Sequence, residues 1–149
     1  MSSKFVTRKC ENVGENIDHR PALGYSSGLS SCKICSIAKE DAWVFTELVL
    51  AIPHPAPLGS CHVIVAPRRH VAAFYDLDVQ EQRMIWDALA QLRARITSAL
   101  VVEGFDVGFA DAPNGDDGSG HALVHLIPRL PGESVERPPG VEWVDLGSV

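Results

Sequence analysis

The stretch His121-Ala122-Leu123-Val124-His125-Leu126-Ile127-Pro128-Arg129 decides how this chain is read. Its apolar and β-branched content predicts a strand over 121–127. Alternate side chains of a strand share a face, so His121, Leu123 and His125 are expected to point the same way. His121 and His125 are then separated by about 13 Å of strand at ~3.3 Å per residue, too far for one ion to take both.

Outward from this strand, residues 105–110 read as another strand. The two are joined by the turn-rich, acidic loop Asp111-Ala112-Pro113-Asn114-Gly115-Asp116-Asp117-Gly118. Upstream lies the one long helix, predicted from Val79 to Leu100. Asp78 is its candidate N-cap and Glu81 follows three residues later, a capping-box pattern. Ile85, Leu89, Leu92 and Ile96 fall on one helical face, with Trp86 beside them. Residues 43–52 and 61–66 read as strands, the first ended by Pro53, Pro55 and Pro57 and the second by Pro67. Several strands with one long helix predict an α+β fold with an antiparallel sheet. Residues 1–30, rich in Ser, Gly, Asn and charge, read as a flexible N-terminal arm, and 31–149 as the folded domain.

A chain of 149 residues with 46% hydrophobic and 21% charged residues fits one globular domain with a real core. Its net charge of −6 supplies no global field for nucleic acid or an anionic membrane surface, so neither is an expected partner. No apolar run approaches the ~20 residues of a membrane helix, and Met1-Ser2-Ser3-Lys4-Phe5 lacks the apolar stretch of a signal peptide. A cytoplasmic chain is therefore expected. The four cysteines, Cys10, Cys32, Cys35 and Cys61, form no dense framework. Metal or redox use in a reducing compartment is expected ahead of structural disulfides.

Four segments in order resemble the histidine triad (HIT) family of nucleotidyl hydrolases and transferases. Cys32-Lys33-Ile34-Cys35 is similar to the CxxC that opens many members. Residues 57–70, from Pro57 through Gly59, His62 and Pro67 to His70, resemble the family's Pro-x-x-Pro-Gly-His…Pro-Arg/Lys-x-His segment. Residues 104–109 resemble its Gly-Tyr/Phe-Asn-x-Gly strand, and 132–144 its closing Gly-Asp…Trp-Val. The strand quoted first resembles the family's signature, three alternating histidines and then often Pro-Arg. The resemblance covers residues 32–145 and implies about five antiparallel strands, one long helix and a homodimer.

It also implies what has changed. The middle histidine of the signature is the family's nucleophile at phosphorus, and Leu123 in its place has no lone pair to attack with. The position of the ribose-binding Asp holds His54, and that of a phosphate-orienting Asn holds Ala110. The phosphate-lining Gly-Gln-Ser/Thr positions hold Asp116, Asp117 and Gly118. A like charge at ~4 Å costs roughly 1 kcal/mol in water and more in a partly dry cleft, so poor phosphate binding is expected.

The CxxC branch of the family completes a zinc site with the histidines matching His70 and His121. The resemblance thus implies a closed, structural Cys32/Cys35/His70/His121 zinc. Taken alone, Cys32 and Cys35 read equally as a redox pair or as two buried thiols. For the pocket the candidates are His54, His62, His125, Asp116 and Asp117, with Asp111 near the same cleft if the family fold holds. The first reading is a repurposed enzyme in which His62 and His125 serve as general acid and base on a small neutral or cationic molecule. A metal-assisted variant adds a second ion held by two histidines and a carboxylate. The second reading is a non-catalytic module that binds a ligand or protein. The third is a nucleotide hydrolase with Asp116 or Asp117 as substitute nucleophile. Bland readings stand beside these: His54 as a solvated loop residue between prolines, Asp116 and Asp117 as ordinary turn residues.

Overall fold

The computed structural model describes Cys10, residues 32–109, Asp111 and residues 120–133. Five strands form one sheet: β1 (Val44–Phe45), β2 (Val49–Pro53), β3 (Val63–Pro67), β4 (Gly104–Gly108) and β5 (Val124–Arg129). Their order is β1-β2-β3-β5-β4, and every neighbouring pair is antiparallel. One long helix, α1 (Val79–Ala99), packs against β2, β3 and β5. This is the α+β architecture expected.

The helix starts where the side chains dictate. Asp78 accepts from the Glu81 backbone N–H at 2.8 Å, and Glu81 accepts from the Asp78 N–H at 3.0 Å. Its apolar stripe Ile85, Leu89, Leu92 and Ile96 is buried against Val49, Ala51, Val63, Val65, Val124 and Leu126. These are the odd-numbered positions of β2 and β3 and the even ones of β5, so the helix covers one face of the sheet. The other face carries Leu50, Ile64, Ala66 and Leu123, which form a second apolar cluster with Cys32 and Ile34.

Three local expectations are corrected. Residues 43–52 are two strands: Thr46 Oγ1 accepts from the N–H groups of Leu48 and Val49 and turns the chain between β1 and β2. The continuous apolar run hid that turn. The signature strand joins the ladder at Val124 rather than at 121, and β3 begins at Val63 rather than at Cys61. Cys61 is a turn residue at φ 57°, bonded to Cys10 in a disulfide with Cα atoms 5.5 Å apart. The expectation that the cysteines avoid disulfides therefore fails for this pair. They lie 51 residues apart, and no spacing pattern announces them. Cys10 is the one described residue of the 1–30 arm, and it is buried. Among the described residues no helix is long and apolar enough to cross a membrane.

Candidate functional site

The face of the sheet turned away from α1 runs from apolar to histidine-rich. β2 and β3 pair with Ile52 opposite Ile64 and Pro53 opposite Val63. One step further His54 stands opposite His62, and the His54 N–H donates to the His62 carbonyl at 2.8 Å. On the other side of β3, His125 of β5 pairs with Ile64, which puts it diagonally beside His62. His121 lies just before β5, toward the opposite end. Leu123 thus stands between two histidine clusters, 4% exposed.

The first cluster is Cys32, Cys35, His70 and His121, whose donor atoms all lie within 4.8 Å of one another. The His121 Nδ1 is 3.5 Å from each sulfur and 3.2 Å from the His70 Nδ1, and Cys35 Sγ is 3.3 Å from the His70 Nδ1. Zinc held tetrahedrally at ~2.3 Å by thiolates and ~2.0 Å by imidazoles sets S···N edges of about 3.5 Å and N···N edges of about 3.3 Å. The four donors fit that polyhedron. The His121 Nε2–H donates to the Pro67 carbonyl at 2.8 Å, which leaves the Nδ1 lone pair for a metal. The segment bearing His70 is fastened on both sides. Arg69 makes a bidentate ion pair with Glu81 at 2.9 and 2.7 Å, and the Ala122 N–H donates to the Val71 carbonyl. The Arg69 hydrogen bond holds the Glu81 carboxyl below the usual carboxylate range, against an opposing push from burial.

The second cluster is His54, His62 and His125, each offering a ring nitrogen within 4.8 Å of the others. His54 and His62 stack nearly parallel with centroids 4.3 Å apart. Backbone N–H groups hold their Nδ1 atoms: Ala56 donates to His54 at 3.0 Å and Leu58 to His62 at 3.1 Å. A nitrogen that accepts carries no proton, so each neutral ring is protonated at Nε2. The His62 Nε2–H then donates to the His125 Nδ1 at 2.9 Å, and the proton of His125 sits at its Nε2. The hydrogen bonds link His62 and His125 into a polarised chain. Two histidines of the set expected for a second ion lie together here, and its candidate carboxylates, Asp116 and Asp117, lie outside the described residues. His54 is half-buried in a stack rather than solvated.

A cavity of about 500 Å³ opens beside this cluster, lined by Trp43, His54, Leu58, Ser60, His62 and Glu133 among others. The Cys10–Cys61 disulfide forms part of its wall. Glu133 was not foreseen, and the only hint was its place at the Asp of the family's closing Gly-Asp. Its Oε1 accepts from the Ser60 N–H at 2.9 Å and the Ser60 hydroxyl at 2.6 Å. Asp111, by contrast, serves the backbone, accepting from the Phe74 N–H. Asp116, Asp117, Ala110, Gly118 and most of the closing segment lie outside the described residues.

This fold and these clusters can be set against known proteins. An Arabidopsis thaliana protein named bifunctional bis(5'-adenosyl)-triphosphatase/adenylylsulfatase FHIT is 26% identical over 97 residues, 65% of this chain and 54% of that protein. A Dictyostelium discoideum bis(5'-adenosyl)-triphosphatase is 26% identical over 93 residues, 62% of each chain. A zinc-bound histidine triad family protein from Mycobacterium smegmatis superposes with a TM-score of 0.60 at 22% identity, covering 73% of this chain and 82% of that one. The chain is thus similar in sequence to two bis(5'-adenosyl)-triphosphatases and shares the fold of a histidine triad family structure. No protein-family model matches it. The match spans only 54% and 62% of the length of the two curated relatives. The chain shares the sheet-and-helix fold of the solved structures, and Cys32, Cys35, His70 and His121 are close enough together to hold one metal ion.

Proposed function

We propose that this chain is a histidine triad (HIT) protein that carries a structural zinc on Cys32, Cys35, His70 and His121, and that its pocket works on a small neutral or cationic molecule instead of transferring a nucleotidyl group. The observation that carries this reading is Leu123. At the position the resemblance assigns to the nucleophile, it is packed among Cys32, Ile34, Leu50, Ile64 and Ala66, while the His62–His125 hydrogen bond beside it is intact. Zinc with four protein ligands supplies structure rather than chemistry: it ties the CxxC turn, the His70 segment and the start of β5 together.

The chemistry then belongs to the histidine chain. The Leu58 N–H fixes the polarity of His62, and His62 fixes that of His125, so His125 is set to donate from Nε2. A neutral imidazole in this role polarises an oxygen on which negative charge develops, as elimination, isomerisation, rearrangement or hydrolysis each require. His62 is the positioning residue. Proton uptake by the pair requires the Leu58 contact to open. His54, stacked on His62, completes the pocket in this reading.

The mutual satisfaction of the histidines also favours the second reading, a ligand-binding module without turnover. The exposed aromatics Tyr75 and Trp86, which pack edge-on to Phe74, suit the homodimer expected from the resemblance. The test is a turnover screen of small polar metabolites alongside bis(5'-adenosyl) triphosphate. The expected outcome is no turnover of the dinucleotide. Any metabolite activity should fall at least about 100-fold in His125→Ala. Dinucleotide hydrolysis at an enzymatic rate would overturn the proposal, and activity untouched in both His125→Ala and His62→Ala would remove the histidine mechanism.

A further inference from the structure

Glu133 is unused by the chemistry above, and its environment is unusual for a carboxylate. One oxygen is committed twice, to the N–H and the hydroxyl of Ser60. The other, Oε2, is buried and has no hydrogen-bond partner among the described residues. A buried carboxylate oxygen without a donor is costly, and such atoms are rare unless a bound group completes them. Glu133 also lines the 500 Å³ cavity that His54 and His62 line.

The charge on the described lining of that cavity has one sign. Among the described residues that line it there is no lysine or arginine. His54 and His62 accept backbone N–H groups at Nδ1. Among the described lining residues Glu133 is the single carboxylate, set in a wall of Trp43, Leu58 and prolines. A lining that carries a carboxylate and, among its described residues, no lysine or arginine disfavours phosphates and carboxylates and favours an organic cation, and an indole in the wall adds to that attraction.

We propose that this cavity is a binding site for a small organic cation, an ammonium or amidinium group, whose N–H donors complete Glu133 Oε2 while its apolar body lies against Trp43 and Leu58. Ser60 is a positioning residue, because its two hydrogen bonds fix which oxygen is left for the ligand. The inference rests on reading the cavity as a small-molecule site, but it does not require turnover.

The test uses the full chain and three isosteric probes: benzylamine, benzyl alcohol and benzoate, titrated by calorimetry or ligand-observed NMR near pH 7. Benzylamine is expected to bind at least about tenfold more tightly than the alcohol, with benzoate weakest. Glu133→Gln keeps an acceptor for Ser60 and is expected to bring the amine down to the level of the alcohol. Trp43→Leu is expected to weaken the amine several-fold while leaving its preference over benzoate. Equal binding of the three probes, no binding of any, a preference for benzoate, or an amine preference that survives Glu133→Gln overturns the proposal. If Glu133→Gln does not fold, the wild-type ranking and Trp43→Leu decide. Amine binding retained in His125→Ala without turnover of any metabolite sinks the catalytic reading alone. Metabolite turnover without amine preference sinks this inference alone.

Discussion

The two histidine clusters sit on one face of one sheet and differ in what holds the second ring nitrogen. In the first, a carbonyl acceptor takes the His121 Nε2–H and frees Nδ1 for a metal. In the second, backbone N–H donors occupy the Nδ1 atoms of His54 and His62, and the Nε2 atoms keep their protons. The spacings agree with this division. The 3.2–3.5 Å separations of the first cluster match the edges of a tetrahedral zinc polyhedron, whereas the 2.9 Å between His62 and His125 is a hydrogen-bond distance. Proximity of three or four ligand atoms therefore does not by itself make a metal site. Whether a carbonyl or an N–H faces the far side of each ring decides it.

The division predicts unequal costs. Cys32→Ser should have the largest effect: loss of the bound zinc and destabilisation of about 4 kcal/mol, a fall in melting temperature on the order of 12 °C, reproduced in the wild type by a strong chelator. His62→Ala should leave the zinc content at one per chain. Metal analysis of the purified variants checks both, and zinc lost from His62→Ala would merge the clusters that the geometry separates. Leu123→His tests the ground between them. It places an imidazole among Cys32, Ile34, Leu50 and Ile64 with no partner prepared for it, and should cost about 2 kcal/mol by chemical denaturation. It should not restore nucleotidyl transfer, because the phosphate-lining positions are also changed.

How much of this was legible depends on the range of the interactions. The helix was plain because Asp78 and Glu81 are three residues apart and the stripe from Ile85 to Ile96 repeats every turn. The metal cluster was legible only through the family pattern, since His70 and His121 are far apart in the chain and nothing local links them to Cys32. The His54 stack was missed because flanking prolines signal a loop, and only the β2–β3 register carries His54 over His62. Glu133 and the Cys10–Cys61 bond were invisible for a similar reason. Each depends on a contact across 50 residues or more, which no period or spacing encodes.

The smallest predicted effect concerns how the first cluster is fastened. The Arg69–Glu81 pair ties the residue next to His70 to the start of α1. Because the Arg69 hydrogen bond lowers the Glu81 carboxyl in the folded state, its stabilising contribution is complete above the ordinary carboxylate range. That contribution is lost as pH falls through the lowered folded value. Glu81→Gln should cost about 1 kcal/mol near pH 7, since Arg69 is half exposed and glutamine keeps part of the capping box. The difference from wild type should shrink as the pH is lowered below about 4. Denaturation midpoints across that pH range give the result. A difference constant with pH would mean that Glu81 acts through its packing and cap geometry, with no contribution from its charge.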